Sequence, residues 1–298
     1  MLGVIGDVVQ DVVVWQQEPM REATDTRSEI TYARGGSAAN VAAFAAPRHP
    51  TRFLGCVGDD LGGHVVTEEL VSHGVDVRLQ TRGATGTIIV LIDAQGERKM
   101  FPSRGASGLL ERIPDEDLVG LDLLHLTGYS LQSDPTASSV LDAAQRLRAR
   151  GGRISFDISS VGMIDLFGLA DFQELVRDLA PDVITANKDE AQLVGLADEG
   201  GAGDFLRSLP ASTVLLARAG AEPTRVFRGG DLVLTVPVRP VRDVRDMTGA
   251  GDAFNAGFLT AWLAHDDLSR AVHSAHELAR RVLRYPGATE APPSAAAA

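Results

Sequence analysis

Residues 121–128 read LDLLHLTG, 134–150 DPTASSVLDAAQRLRAR, 153–159 RISFDIS, 171–180 DFQELVRDLA, 182–187 DVITAN, 188–195 KDEAQLVG and 212–220 STVLLARAG. Apolar runs of strand length alternate with segments whose apolar residues recur at helical spacing, and strand starts recur at about 30 residues, the length of one βα unit. This alternation predicts an α/β fold: short parallel strands in a sheet covered by helices on both faces. Ligands of such sheets sit beyond the carboxyl ends of the strands, so candidate site residues are sought just after strands.

Upstream, the valine-rich stretch LGVIGDVVQDVVVW (2–15) reads as strand, broken into two near Gly6–Asp7. GTIIVLIDAQGERKMF (86–101) alternates around a turn at Asp93–Gly96, and RVFRGGDLVLTVP (225–237) around Gly229–Gly230, so both are expected to form antiparallel hairpins. The expected organisation is a single domain over residues 1–288, with a small β lid formed from parts of 8–34 and 86–104. The last stretch, TEAPPSAAAA (289–298), is a low-complexity tail with nothing to pack into a core.

With 298 residues, 44% of them apolar, the chain can bury a sizeable core. Twenty-eight basic against 40 acidic side chains give a net charge of −12, which argues against nucleic acid or an anionic membrane as a partner. Any anionic ligand must be held locally. No apolar run is long enough to span a bilayer and the N-terminus lacks the pattern of a secretory signal. Cys56 is the single cysteine, so a disulfide framework is excluded and a cytoplasmic location is expected. The only lysines, Lys99 and Lys188, do not follow glycine, so the chain contains no P-loop.

The segment Arg245-Asp-Met-Thr-Gly-Ala-Gly-Asp-Ala-Phe254 is followed by apolar Phe258, Ala261 and Trp262 at helical spacing. It is expected to be a glycine-containing turn opening a helix, where unpaired N–H groups and the helix dipole favour an anion such as phosphate. A carboxylate in that turn, Asp252, would repel phosphate; it suits a group that accepts a proton from an attacking hydroxyl, or a helix cap. A second glycine pair opens a helix at Gly35-Gly-Ser-Ala-Ala-Asn-Val-Ala42, with Asn40 one turn in.

Together the two blocks resemble the signatures of the PfkB, or ribokinase-like, family of carbohydrate and nucleoside kinases: a Gly-Gly…Asn segment and D-T-x-G-A-G-D-x-F, from which DMTGAGDAF departs at Met247. The resemblance covers residues 2–288. It implies a ribokinase-like three-layer fold, with a mostly parallel central sheet, helices on both faces and a small β lid. It implies Asp252 as catalytic base and the Gly249, Ala250 and Gly251 amides as anion hole. Asp11 on the first strand, Gly35, Gly36 and Asn40 would contact a sugar. For Asp11 a turn role at a strand end stays open. Asn187-Lys-Asp-Glu190 matches the family's N-x-x-E motif, placing Glu190 near Mg²⁺ through water and Asn187 near the nucleotide. Many helices begin this way. Gly220, Thr248 and His276 complete the expected nucleotide site.

Departures bear on substrate and cofactors. Arg218-Ala-Gly-Ala-Glu-Pro223 stands where the family has T-x-G-x-x-G, and Ser37 where ribokinase has lysine. Asp246 matches a position that in some members helps bind a monovalent cation, which raises K⁺ as a possible activator, although Met247 beside it is unusual. The expected reaction is ATP-dependent phosphorylation of a primary hydroxyl of a small sugar, as in ribokinases and fructokinases; the alternative is an adenosine-type nucleoside kinase. Ile89, Met100 and Phe101 offer an apolar wall for a base, and Arg98 and Arg104 are basic partners for a sugar phosphate, Arg104 being the substrate-binding candidate. Sugar-kinase relatives commonly dimerise through the lid, so a homodimer is expected. A dinucleotide-binding oxidoreductase is disfavoured, because GVIGDVVQD lacks the third glycine and the helix of that fingerprint. A sugar-binding protein without catalysis would show a damaged base or anion hole, and both are intact.

Overall fold

Every residue of β1 (Leu2–Ile5) is buried, because the strand runs through the middle of a sheet and meets helices on both faces. The computed structural model describes residues 1–93, 95 and 97–290. After β1 come β2 (Val9–Gln16), β3 (Ser28–Gly35), α1 (Ser37–Ala45), β4 (Thr51–Val57), α2 (Leu61–Ser72), β5 (Asp76–Thr81), β6 (Gly86–Ile92) and β7 (Arg98–Ser103). The alternating half follows: β8 (Leu123–Thr127), α3 (Thr136–Arg148), β9 (Arg153–Asp157), α4 (Val161–Phe167), α5 (Leu169–Leu179), β10 (Val183–Asn187) and α6 (Lys188–Val194). A short ribbon, β11 (Ala197–Asp198) with β12 (Gly201–Ala202), and α7 (Asp204–Ser208) lead to β13 (Val214–Ala219), β14 (Glu222–Arg228) and β15 (Asp231–Val236), and α8 (Ala250–His265) and α9 (Leu268–Val282) follow.

Among the described residues the main sheet has nine strands in the order β15-β14-β13-β10-β9-β8-β1-β4-β5. From β13 to β5 all neighbours are parallel, and β14 and β15 add an antiparallel edge that contains the hairpin expected around Gly229–Gly230. Strand alternation divides the core into two layers. On β13, Leu215 and Ala217 join the layer under α3, α5 and α6, whereas Val214 and Leu216 join the layer under α1, α8 and α9.

A separate four-stranded sheet has the order β3-β2-β6-β7, with β2 and β6 parallel and the outer pairs antiparallel. Its register makes Tyr32, Val12, Ile89 and Phe101 one cross-strand row, and Ala33, Asp11, Ile88 and Pro102 the next row, on the opposite face. The chain passes from β1 to this sheet through Gly6–Val8, where the sequence suggested the break. Ala94 and Gly96 of the expected hairpin turn lie outside the described residues, as does the tail from residue 291. Glu290, at the start of that tail, accepts hydrogen bonds from Arg48 at 2.7 Å and Arg281 at 3.0 Å.

Candidate active site

The carboxyl ends of the parallel strands and the first turns of α1 and α8 converge on one cluster of side chains. Asp252, in the first turn of α8, accepts the Ser37 hydroxyl at 2.7 Å on Oδ1 and the Asn40 amide at 2.8 Å on Oδ2. Burial pushes its carboxyl up to about 6; the bonds from Ser37 and Asn40 pull it down, and the charges of Asp157 and Asp7 push it up again. A carboxylate with that pKa is ionised at neutral pH and still basic enough to take a proton from a hydroxyl.

The Asn40 amide has a fixed orientation, because its Oδ1 accepts from Nη1 of the buried Arg34. Arg34 lies 3.3 Å from Glu69 through Nε and also donates through Nη2 to the Ala288 carbonyl at 3.3 Å. The sequence offered Asn40 as a sugar contact. The structure shows both of its polar ends engaged within the protein, the donor end on Asp252.

Of the two early aspartates, Asp7 is occupied: its carboxylate accepts the N–H groups of Ser37 at 2.9 Å and Ala38 at 3.2 Å, holding the start of α1. Asp11 stands on β2 in the small sheet rather than on the first strand of the main sheet, and its buried Oδ1 has no hydrogen-bond partner among the described residues. Burial raises the Asp11 carboxyl to about 6 against the pull of Arg34. Its Oδ1 lies 2.1 Å from where a Cβ on Gly35 would sit, so glycine is required there for close approach. Gly36 is the N-cap of α1. Arg104 lies over the Tyr129 ring at 5.3 Å and lines a small pocket with Asp7, Ser107, Gln132 and Thr136.

In the turn before α8, Gly249 is the N-cap with φ +75°. The Ala250 N–H is spent on the Met247 carbonyl at 3.2 Å. The N–H groups of Gly249, Gly251 and Asp252 have no acceptor among the described residues. This amends the expected trio: Ala250 shapes the turn, and Asp252 contributes the third free amide. Arg218, at the end of β13, lies against this turn, its Nη1 being 2.7 Å from where a Cβ on Gly251 would stand. Its other nitrogen donates to Asp157 at 3.1 Å, and Asp157 also accepts from Thr185 at 3.0 Å and Asn255 at 2.9 Å.

Asn187 caps α6 by accepting the Glu190 N–H at 2.9 Å, and the Glu190 carboxylate accepts Asn187 N at 2.8 Å and Ser160 N at 2.9 Å. Burial, then the nearby Asp157, raises the Glu190 carboxyl above its usual range. Among the described residues no group of three or more His, Cys, Asp or Glu side chains stands close enough to cage a metal. Mg²⁺ keeps several waters and takes one or two carboxylates plus phosphate oxygens; Glu190, with Asp157 nearby, offers carboxylates of that kind. Gly220 turns the chain between β13 and β14 with φ +61°. His276 is buried, shares its Nε2 with the Thr224 hydroxyl at 2.9 Å and packs against Phe254.

A monovalent cation fits Asp246 poorly. That buried carboxylate accepts Thr248 N at 2.7 Å, Gly287 N at 2.8 Å and Arg98 Nη2 at 2.6 Å, while Arg98 Nη1 donates to Thr248 Oγ1 at 2.8 Å. Burial alone would push Asp246 up, but these donors hold it below the usual carboxylate range. A second cation about 4 Å from the guanidinium would meet a repulsion of roughly 4 kcal/mol at the effective dielectric of a protein surface. Arg98, read from sequence as a partner for a sugar phosphate, is committed here instead. Sequence reasoning missed Arg34, Ser37 as a partner of Asp252, and Asp157; Arg218 was visible only as a departure from a motif.

The chain matches the family described as "pfkB family carbohydrate kinase" over residues 1–295. It is 32% identical over 273 residues to a fructokinase of Klebsiella pneumoniae, covering 88% of this chain and 84% of that one. It is 31% identical over 272 residues to an ATP-dependent ribose-1-phosphate kinase of Halopiger xanaduensis, covering 89% and 85%. Among solved structures, the adenosine kinase of Sinorhizobium meliloti superposes with a TM-score of 0.83 at 22% identity over 98% of this chain and 96% of that chain, a likeness of fold.

Proposed function

This chain belongs to the pfkB carbohydrate kinase family, and from that premise we propose that it transfers the γ-phosphoryl group of ATP to a primary hydroxyl of a small sugar. It is a phosphotransferase with an alcohol acceptor, and its family implies ATP and Mg²⁺. The observation that carries the mechanistic reading is the Asp252 carboxylate, held by Ser37 and Asn40 and raised to about 6 beside a turn with free amides. In this reading Asp252 takes the hydroxyl proton as the oxygen attacks phosphorus, and the N–H groups of Gly249, Gly251 and Asp252 hold the transferring group. Arg218 adds positive charge behind them. Mg²⁺ on the phosphates would neutralise developing charge, and Glu190 and Asp157 would hold it through water. Asn187, Thr248 and Gly220 border the nucleotide, with His276 forming a wall behind them. Asp11, whose Oδ1 has no partner among the described residues, binds sugar hydroxyls, with Gly35 and Gly36 letting the Asp11 carboxylate and the Asp7–Val8 backbone pack close and Arg104 closing the far side.

The small sheet serves as a lid over the sugar. The face opposite Asp11 supports a homodimer, since it carries Tyr32, Ile89 and Phe101 with 67%, 42% and 55% of their surface exposed. No helix among the described residues is long and apolar enough to cross a membrane; we place the enzyme in the cytoplasm on the ground of its single cysteine, Cys56. The nucleoside reading has one observation in its favour: Met100 is exposed on the Asp11 face, in one row with Val13 and Val90. Ile89 and Phe101 point away from that face. An ATP-consumption screen with Mg²⁺ over free sugars, sugar phosphates and nucleosides decides. Turnover of free sugars supports the proposal, turnover of nucleosides alone replaces it with the second reading, and no turnover overturns it.

A further inference from the structure

The turn that carries the free amides is tied from two sides. From the closing segment, Leu283 accepts Arg245 N at 2.8 Å, and Gly287 N donates to Asp246 at 2.8 Å. From the small sheet, Arg98 on β7 reaches across and bridges the Asp246 carboxylate and the Thr248 hydroxyl with two nitrogens. A buried carboxylate beside a phosphate site needs a compensating positive charge, since otherwise it would repel both the phosphate and its own surroundings. In this chain a side chain supplies that charge, 148 residues away in sequence and on the sheet that also carries Asp11.

We propose that the Arg98 guanidinium is the built-in cation of this turn, standing at the Asp246 carboxylate that in some family members helps bind a monovalent ion, so that turnover does not depend on K⁺. Arg98 is then a positioning residue. It neutralises Asp246, fixes the Thr248 side chain and so keeps the N–H groups of Gly249, Gly251 and Asp252 aimed at the transferring phosphoryl group. An ion in that place dissociates at low salt; a guanidinium on β7 does not. β7 and β2 belong to one sheet, so Arg98 ties the sheet that carries Asp11 to the turn before α8.

The test raises KCl from zero to about 100 mM at ionic strength held constant with tetramethylammonium chloride, using the intact enzyme and its best substrate. The wild type is expected to change in rate by less than about twofold and to melt at the same temperature in either salt, a readout that needs no substrate. Arg98→Ala is expected to lose at least about tenfold in kcat, in keeping with the cost of misplacing anion-hole donors. KCl or guanidinium chloride at tens of millimolar should restore part of that loss, and Arg98→Lys should retain more activity than the alanine variant without either. A wild type accelerated more than about threefold by K⁺ overturns the proposal. So does an Arg98→Ala variant that melts like the wild type and either keeps its kcat without K⁺ or cannot be rescued by any cation. If Arg98→Ala does not fold, the wild-type salt series and Arg98→Lys decide alone.

Discussion

Asp252 is held ionised at a cost in stability. Its folded-state pKa of about 6 lies above the ordinary 3.8, so the group favours folding below pH 4 and opposes it increasingly as the pH rises through 6. At pH 8 the opposing contribution is on the order of 1–3 kcal/mol. Asp252→Asn removes both the charge and the proposed base. Its kcat should fall by at least about two orders of magnitude, while its melting temperature at pH 8 should not fall below that of the wild type. Calorimetry and steady-state kinetics check the two halves separately. Asn40 tunes the same group: its amide lowers the Asp252 pKa, so Asn40→Ala raises it. The acidic limb of kcat/KM, expected near pH 6 in the wild type, should move to higher pH in that variant, and an unmoved limb would show that the titrating group is not Asp252.

The elements that matter most are the paired first turns of α1 and α8. Both helices start at a glycine of positive φ, Gly36 at +95° and Gly249 at +75°, a backbone state costly to other residues. At Gly249 the cost is doubled, because a Cβ would stand 2.6 Å from the Ala288 Cβ in the closing segment. Gly249→Ala should therefore destabilise the fold by more than about 1 kcal/mol and displace the amides, lowering both the melting temperature and kcat; urea unfolding with parallel assays reads this out. Helix starts of this kind were legible from sequence, as glycine pairs followed by helical spacing. The partners of those starts were not. Asp7 proved to hold the first N–H groups of α1 and Ala250 to close its own turn, because hydrogen bonds are assigned by how two segments lie side by side.

At the scale of the whole molecule, the four-stranded sheet presents an apolar row, Tyr32, Val12, Ile89 and Phe101, on the face opposite Asp11. Ile89→Arg places a charge at the centre of that row and should convert a dimer seen by light scattering into a monomer, with a raised KM for sugar if the second copy steadies the sheet. A wild type that is monomeric at working concentration, with and without substrate, removes the dimer. The fold class of this protein was determined by the sequence itself: alternating strand and helix periods are local properties, and right-handed crossovers leave one economical way to cover both faces of a parallel sheet. That DMTGAGDAF opens a helix at its glycines was equally legible. The packing of helices, loops and sheets brought Ser37 to Asp252 across 215 positions, Arg98 to Asp246 across 148 and Arg218 to Asp157 across 61. Periodicity tells which residues face a core, but a polar side chain finds its partner through the way the elements are packed together, and only the tertiary structure decides that.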